Sequence, residues 1–160
     1  MTPLETPDDV SGGTTAINDD GVIVGYTSKD SGVFAARWVD GKFEQLPAFV
    51  EGGQGNPRDI NSAGLVVGSS SIDPVEMDSR AALWDGDTIT DLNDMIPDDS
   101  GYTLRAASGI NDAGQIVAVG RPNDDDTVSR GFVLNPADES AARIGVALAA
   151  VPTAALRSHM

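Results

Sequence analysis

Ile17–Gly25 reads INDDGVIVG, and the same pattern returns as INSAGLVVG at Ile60–Gly68 and as INDAGQIVA at Ile110–Ala118. The copies begin 43 and then 50 residues apart, and a period in that range is the signature of a repeat protein. In each copy Asn and Gly bracket a four-residue turn, because Asn accepts local backbone hydrogen bonds and Gly adopts a positive φ. The apolar run that follows the turn predicts a buried strand.

In the first two units, two further strands follow the turn and its flanking strands. In the first unit, a β-branched and aromatic stretch at 33–39 leads through Asp40-Gly41, a two-residue hairpin signal, into a returning strand. The second unit repeats this plan around Asp85-Gly86. We therefore predict an all-β domain over residues 1–136, built from three tandem four-stranded antiparallel units. Their expected ranges are about 14–46, 57–92 and 105–134.

The unit size suggests how the repeats assemble. Four strands in about 45 residues match one blade of a β-propeller, but propellers have about 4–8 blades and this chain has three units. Either the chain is part of a larger propeller, or two chains complete one ring, or the fold is a three-fold β-trefoil or β-prism. We predict propeller-like blades and keep the three-fold folds as the alternative.

Both ends of the chain depart from the repeat. The third unit has no clear fourth strand, whereas residues 3–7 form an orphan strand before the first unit. We expect this N-terminal strand to pair near 132–134, within the chain or in a second copy, because the pairing would close open sheet edges. Residues 137–160 form a tail that begins as a short helix, an extended segment or an added edge strand. We attribute its last four residues, 157–160, to cloning.

The repeat also predicts backbone conformations and a core. Gly21, Gly64 and Gly114 should have positive φ because each ends the turn of its copy. The apolar positions after the turns, and the Trp of the third strand, should be buried. These positions are Ile17, Ile23, Val24, Trp38, Val66, Val67, Trp84, Ile116 and Val117.

Composition narrows the classes of function. The net charge is −15, so nucleic acid and anionic membrane surfaces would be repelled. Protein surfaces and neutral glycans remain as partners. The chain has no Cys and one His, His159 in the tail, which excludes disulfides, thiolate metal sites and a Ser-His-Asp triad. No apolar stretch is long enough for a transmembrane helix.

Acidic residues supply the candidates for a metal site. Asp124, Asp125 and Asp126 form the densest cluster, and calcium would relieve the repulsion among them. The turn residues Asn18, Asp19, Asp20, Asn111 and Asp112 offer oxygen ligands too. Turn formation explains them without a metal, and no Asp-x-Asp-x-Asp-Gly loop is present, so we predict no required cofactor.

The two Trp residues are candidates for ligand stacking. Trp38 and Trp84 occupy equivalent positions, where they either pack between sheets or offer a platform for sugar rings. We identify no catalytic residue. A pair of carboxylates, as in glycosidases, is the one catalytic arrangement for which the chain has enough residues.

The repeats resemble the bacterial HAF-repeat family of extracellular repeat proteins over roughly residues 14–134. The Ile-Asn-x-x-Gly segments carry the match, together with the downstream strands FAARW at 34–38, RAALW at 80–84 and RGFVL at 130–134. The resemblance implies β-propeller-like repeats and a secreted or surface setting, and it implies no activity or catalytic residue. We expect a signal peptide to have been removed from this chain.

Taken together, the sequence predicts a non-enzymatic, extracytoplasmic β-repeat module for binding or structural display. A glycan-acting enzyme domain that uses paired carboxylates is the alternative. A homo-oligomer that completes a propeller is the expected form of assembly.

Overall fold

The computed structural model describes residues 1–75, 78–136 and 148–152, and this part of the chain is all-β. The strands are β1 Ser11–Ile17, β2 Ile23–Lys29, β3 Gly32–Val39, β4 Lys42–Gln45, β5 Gly55–Ile60, β6 Val66–Ser71, β7 Ser79–Asp85, β8 Thr88–Asp91, β9 Tyr102–Ile110, β10 Ile116–Pro122, β11 Arg130–Pro136 and β12 Leu148–Pro152. A 3₁₀ turn, Leu92–Met95, follows β8. No helix in the described residues is long and apolar enough to cross a membrane.

The strands form three antiparallel sheets in chain order, one for each unit of the repeat. The first sheet is β1–β4, the second is β5–β8, and the third is β9–β11 with β12 on its outer edge. The prediction of an all-β fold with three tandem antiparallel units is therefore confirmed for the described residues. Strand β12 is the added edge strand that the sequence left open for the tail. The short helix, another of the three options, falls in 137–147, outside the described residues, as do residues 153–160.

The N-terminal segment does not form the predicted strand. The Glu5 N–H donates to the Gly41 carbonyl at 3.2 Å, and the Glu5 carbonyl accepts the Trp38 indole N–H at 2.6 Å. Residues 3–7 have no regular secondary structure, and Glu5 ties this segment to the first sheet. The strand prediction for 3–7 is wrong, and so is its pairing near Phe132, because β12 occupies that edge of β11 within the chain.

The three turns are built alike, as the sequence predicts. Gly21, Gly64 and Gly114 have φ of +78°, +85° and +78°, which confirms the expected left-handed conformation. Each glycine N–H donates to the carbonyl of the Asn that opens its turn, at 3.0–3.1 Å. The chain reverses within four residues, so the apolar run that follows returns beside the strand before it.

Each sheet has two faces, which we define by side chains of its inner strands β2, β6 and β10. The front faces of the first, second and third sheets carry Ile23, Val66 and Ile116, and their back faces carry Val24, Val67 and Val117. The back face of the first sheet packs on the front face of the second, in a core made of Val24, Ala35, Leu46, Ile60, Val66, Ala82 and Trp84. The back face of the second packs on the front face of the third, in a core that includes Val67, Leu83, Leu92, Leu104, Ile116, Phe132 and Leu134. The same relation between neighbours thus occurs twice.

This stacking explains where the core prediction holds and where it is wrong. Most of the predicted positions are buried, whereas Ile17 is 63% exposed and Val117 is 45% exposed. Their counterparts Ile60 and Val67 are buried because a neighbouring sheet covers them. Ile17 belongs to the front face of the first sheet and Val117 to the back face of the third, so both lie at the ends of the stack. Ile23, also on the first front face, is half-buried.

A β-bulge makes one glycine sensitive to substitution. The register of β5 with β6 shifts between Pro57 and Asp59, which brings the backbone of β5 close to Gly68. A Cβ on Gly68 would lie 2.2 Å from the Asn56 carbonyl oxygen. We expect Gly68→Ala to lower the free energy of unfolding by about 1–3 kcal/mol through forced backbone displacement, measured by urea unfolding.

Gly109→Ala is the matched control for this prediction. Its Cβ would meet the Val117 side chain at 3.1 Å, and an exposed side chain can move aside. The control should cost clearly less than Gly68→Ala. Equal losses of stability from the two substitutions would contradict the steric explanation.

Candidate functional site

Three asparagines connect the units along one edge of the stack. The Asn18 side-chain amide donates to the Asn61 carbonyl at 3.1 Å, and the Asn61 amide donates to the Asn111 carbonyl at 3.2 Å. In all three residues the Oδ1 atom accepts, at 2.9 Å, the N–H of the residue four positions later. Each Asn thus closes its own turn with the oxygen, and the first two reach the next unit with the nitrogen. We call this arrangement the asparagine ladder.

Burial differs along the asparagine ladder although the motif repeats. Asn61 is buried between two neighbouring turns, Asn18 is half-buried and Asn111 is exposed. Among the described residues, Asn111 directs its amide to the side chain of Gln115 in its own unit, at 2.9 Å. The ladder therefore has a direction along the chain and an outward-facing end on the third unit.

A second row of polar side chains runs beside the ladder. The Ser62 hydroxyl bonds to Asp112 Oδ2 at 3.1 Å and lies 3.3 Å from Asp19 Oδ2, and the Ser62 N–H donates to Asp112 Oδ1 at 2.8 Å. Asp19, Asp20 and Asp112 are exposed. We call the asparagine ladder and this row together the turn edge. It presents three carboxylates to solvent beside turns that are hydrogen-bonded to one another, an arrangement suited to cationic groups.

The comparisons with known proteins give a family and no activity. A family model described as "Protein of unknown function (DUF3466)" matches residues 3–147, which include nearly all of the three sheets. The chain belongs to the DUF3466 family. No curated protein and no solved structure gives a significant match.

The two Trp residues of the DUF3466 chain are packing residues. Trp84 is fully buried and Trp38 is 2% exposed. Their indole N–H groups donate to the carbonyls of Pro47 and Glu5, at 2.8 and 2.6 Å. Both indole rings are covered in the described chain, so the sugar-stacking prediction for Trp38 and Trp84 is not supported. The alternative reading from the sequence, packing between sheets, describes Trp84.

The acidic loop of the DUF3466 chain points to water. Asp124, Asp125 and Asp126 are all exposed. Asp125 Oδ1 accepts the Thr127 hydroxyl at 2.6 Å and the Thr127 N–H at 3.0 Å. The hydroxyl hydrogen bond is the main cause, and the N–H a further one, of an Asp125 pKa below its usual value. Among the described residues, no group of three or more His, Cys, Asp or Glu side chains is placed to hold a metal ion.

Two clefts in the described part of the DUF3466 chain are small. One of about 230 Å³ lies at the junction of the first two sheets and is lined by Val33, Gln54, Gly55, Asn56, Ser69, Ser71 and Ser79. Another of about 200 Å³ is lined by Ile96, Pro97, Asp99, Ser100, Tyr102, Leu104 and Phe132. Both are below the roughly 300 Å³ at which ligand pockets begin. Neither contains the pair of carboxylates that the enzyme alternative requires.

Sequence reasoning missed the use of the Asn amides between units. It assigned Asn18, Asn61 and Asn111 to turn formation, which explains the side-chain oxygen alone. A signal was present, because a turn of this kind accepts Asp or Ser at its first position as well, yet all three copies have Asn. Asn is the one residue of the three whose side chain supplies both an acceptor and an N–H donor.

Proposed function

We propose that the chain is a non-enzymatic, extracytoplasmic β-repeat module whose sheets are propeller-type blades and whose turn edge binds a basic protein surface. The observation that carries the proposal is the asparagine ladder with its row of exposed carboxylates. The ladder holds successive turns at fixed spacing, and the Asp side chains beside it project to solvent. A fixed row of like charges favours a partner of opposite charge.

The blade assignment rests on how the sheets contact one another. Each sheet packs face to face on its neighbour in chain order, through equivalent residues in both junctions. Stacking of four-stranded antiparallel sheets through their faces is how propeller blades pack around an axis. The resemblance to HAF-repeat proteins supports the same architecture and a location at the bacterial surface or outside the cell.

The charge of the chain supports the choice of partner. With 25 acidic and 10 basic residues, the surface as a whole repels anions. Neutral glycans remain a weaker option, because the Trp rings that would stack on sugars are buried. A basic protein surface would instead contact the exposed carboxylates of the turn edge.

A charge-matched pair of variants tests the proposed function. Decalysine serves as the probe, and its affinity is measured by calorimetry for the wild type and for two triple variants. The first, Asp19→Asn with Asp20→Asn and Asp112→Asn, alters the turn edge. The second, Asp124→Asn with Asp125→Asn and Asp126→Asn, changes the net charge equally but leaves the turn edge intact. We expect the first to weaken binding about tenfold or more, and the second to change it little.

Two results would overturn the proposed function. Equal weakening by both triple variants would mean that decalysine responds to net charge and not to the turn edge. Release of reducing sugar from a neutral polysaccharide, abolished by Asp19→Asn and Asp112→Asn, would favour the enzyme with paired carboxylates instead.

A further inference from the structure

Exposed apolar side chains mark the two ends of the stack. Apart from Met1 and the loop residue Val75, the large hydrophobic residues that are exposed among those described are Ile17, Val117 and Val119. Ile17 lies on the front face of the first sheet. Val117 and Val119 alternate with buried residues along β10 and so lie on the back face of the third sheet. These two end faces are the ones that no other described sheet covers.

The end faces correspond to faces that pack on each other inside the chain. Val117 is the counterpart of Val24 and Val67, which are fully buried at the two internal junctions. Ile17 is the counterpart of Ile60 and Ile110, which are also buried. The back face of the third sheet and the front face of the first sheet are therefore equivalent to the pairs of faces that pack together at the two internal junctions.

The asparagine ladder has open ends of matching chemistry on the same two sheets. The carbonyls of Asn61 and Asn111 each accept two hydrogen bonds, one from the Gly of their own turn and one from the preceding Asn amide. Among the described residues, the Asn18 carbonyl accepts the Gly21 N–H alone. The Asn111 amide, at the other end, bonds to Gln115 within its own unit. The Asn18 carbonyl thus lacks the second donor that the other two carbonyls have, and the Asn111 amide is a donor that does not reach another unit.

A side-chain hydroxyl in the strand before the turn also links neighbouring sheets in one unit and not in another. Thr15 sits at the bulge of β1, and its Oγ1 atom lies within hydrogen-bonding distance of the Val24 carbonyl and of the Pro57 carbonyl in the second sheet. Among the described residues, Ser108, at the equivalent bulge of β9, bonds to the Val117 carbonyl and to no carbonyl of another sheet. The counterpart of Pro57 in a following unit would be Thr14 of a first sheet.

The N-terminal segment contacts the front face of the first sheet in the way that the end of the first unit contacts the front face of the second sheet. Trp84 donates to the carbonyl of Pro47, which follows the buried Leu46 of the preceding unit. Trp38 donates in the same way to the carbonyl of Glu5, which follows Leu4. Leu4–Glu5 therefore stands where the end of a preceding unit would stand. Leu4 is half-buried in the single chain.

We propose that the back face of the third sheet packs on the front face of the first sheet of a second copy, so that two copies close six sheets into a ring. The inference rests on the proposed function only in treating the sheets as propeller-type blades. Each copy uses each end face once, and a head-to-tail contact of this kind closes when the rotation is right. Six sheets lie within the usual range of propeller sizes.

Charge opposes this association and gives it a characteristic salt dependence. Each copy carries a net charge of −15, and the junction brings Asp112 of one copy near Asp19 of the other. The Debye length falls from about 8 Å at 0.15 M salt to about 3 Å at 1 M. Screening should therefore strengthen the dimer, as burial of the apolar end faces does not depend on attraction between charges.

Solution mass measured by analytical ultracentrifugation tests the proposal. The wild type should form a species of twice the 16.5 kDa chain mass, with a dissociation constant that falls as salt is raised. Val117→Asp on one end face and Ile17→Asp on the other should each raise that constant about tenfold or more. Val75→Asp introduces the same charge at a loop position that is 84% exposed and should leave the dimer intact. Thermal unfolding by circular dichroism checks that each variant is folded.

Mixing the two disruptive variants distinguishes the head-to-tail contact from other contacts. A mixture of Val117→Asp and Ile17→Asp chains keeps one end-face junction free of substitutions, so it should associate more strongly than either variant alone. A wild-type chain that stays monomeric at high salt would overturn the proposal, and so would a dimer that Ile17→Asp leaves unchanged. Decalysine binding plays no part in this readout, so a failure of the ring and a failure of the proposed binding to a basic surface are distinguishable.

Discussion

Trp84→Ala should lower the free energy of unfolding by about 3–5 kcal/mol, the usual cost of truncating a fully buried aromatic side chain. Trp84 has no exposed surface and packs in the junction between the first two sheets with residues such as Val24 and Leu46. The substitution would leave a cavity between two sheets whose backbones are held by strand pairing. Urea unfolding followed by circular dichroism measures the change.

Two companion variants divide this loss into its causes. Trp84→Phe keeps a ring but removes the N–H that donates to the Pro47 carbonyl at 2.8 Å, and it should cost about 1–2 kcal/mol. Trp38→Ala removes the equivalent residue of the first unit, whose indole N–H donates to the Glu5 carbonyl of the N-terminal segment. Because that segment can collapse into the space, Trp38→Ala should cost less than Trp84→Ala. A larger loss at Trp38 would contradict this account of the two sites.

Asn61→Ala should lower the free energy of unfolding by about 2–4 kcal/mol. The buried Leu65 N–H would lose its acceptor, and the Asn111 carbonyl would lose a donor from the neighbouring unit. The buried N–H left without an acceptor costs about 1–3 kcal/mol, and the lost hydrogen bond to the Asn111 carbonyl adds about 0.5–1.5 kcal/mol. The loss is read from urea unfolding at constant protein concentration.

Asn111→Ala is the matched control, because it alters the same motif position in an exposed unit. Water can replace the Asn111 side chain around the exposed Gln115, so the control should cost at most about 1 kcal/mol. The measurement is made at a concentration where the protein is monomeric, which separates turn stability from association. Equal losses from Asn61→Ala and Asn111→Ala would show that the ladder between units contributes nothing beyond the turn.

The candidate site was predicted from the sequence only in its parts. The sequence identified Asn18, Asp19, Asn111 and Asp112 as turn residues and weighed them as calcium ligands. It could not show that Ser62 lies between two of the carboxylates, because these residues are 43 and 50 positions away from it. Contacts of that range follow from how whole sheets stack, and no local propensity encodes them.

The burial of the apolar residues was likewise predicted only in part from the sequence. Hydrophobic patterning correctly gave burial for Val24, Val67 and Ile116, yet it failed for Ile17 and Val117 although their local sequences are equivalent. An apolar strand residue favours burial, but a neighbouring surface must be present to bury it. The repeat pattern predicts which positions of the three units are equivalent. It does not predict which faces of a unit are covered by another unit.

The sequence by itself determined the three turns, the strands around them and the division into equivalent sheets, because Asn, Gly and β-branched residues act through local backbone geometry. The tertiary structure alone decided which faces of those sheets are covered, and it turned three identical Asn residues into one buried, one half-buried and one exposed member of a ladder. The physical reason is that turn chemistry acts over a few residues. Burial and the hydrogen bonds between sheets depend instead on surfaces that come together only when the units stack.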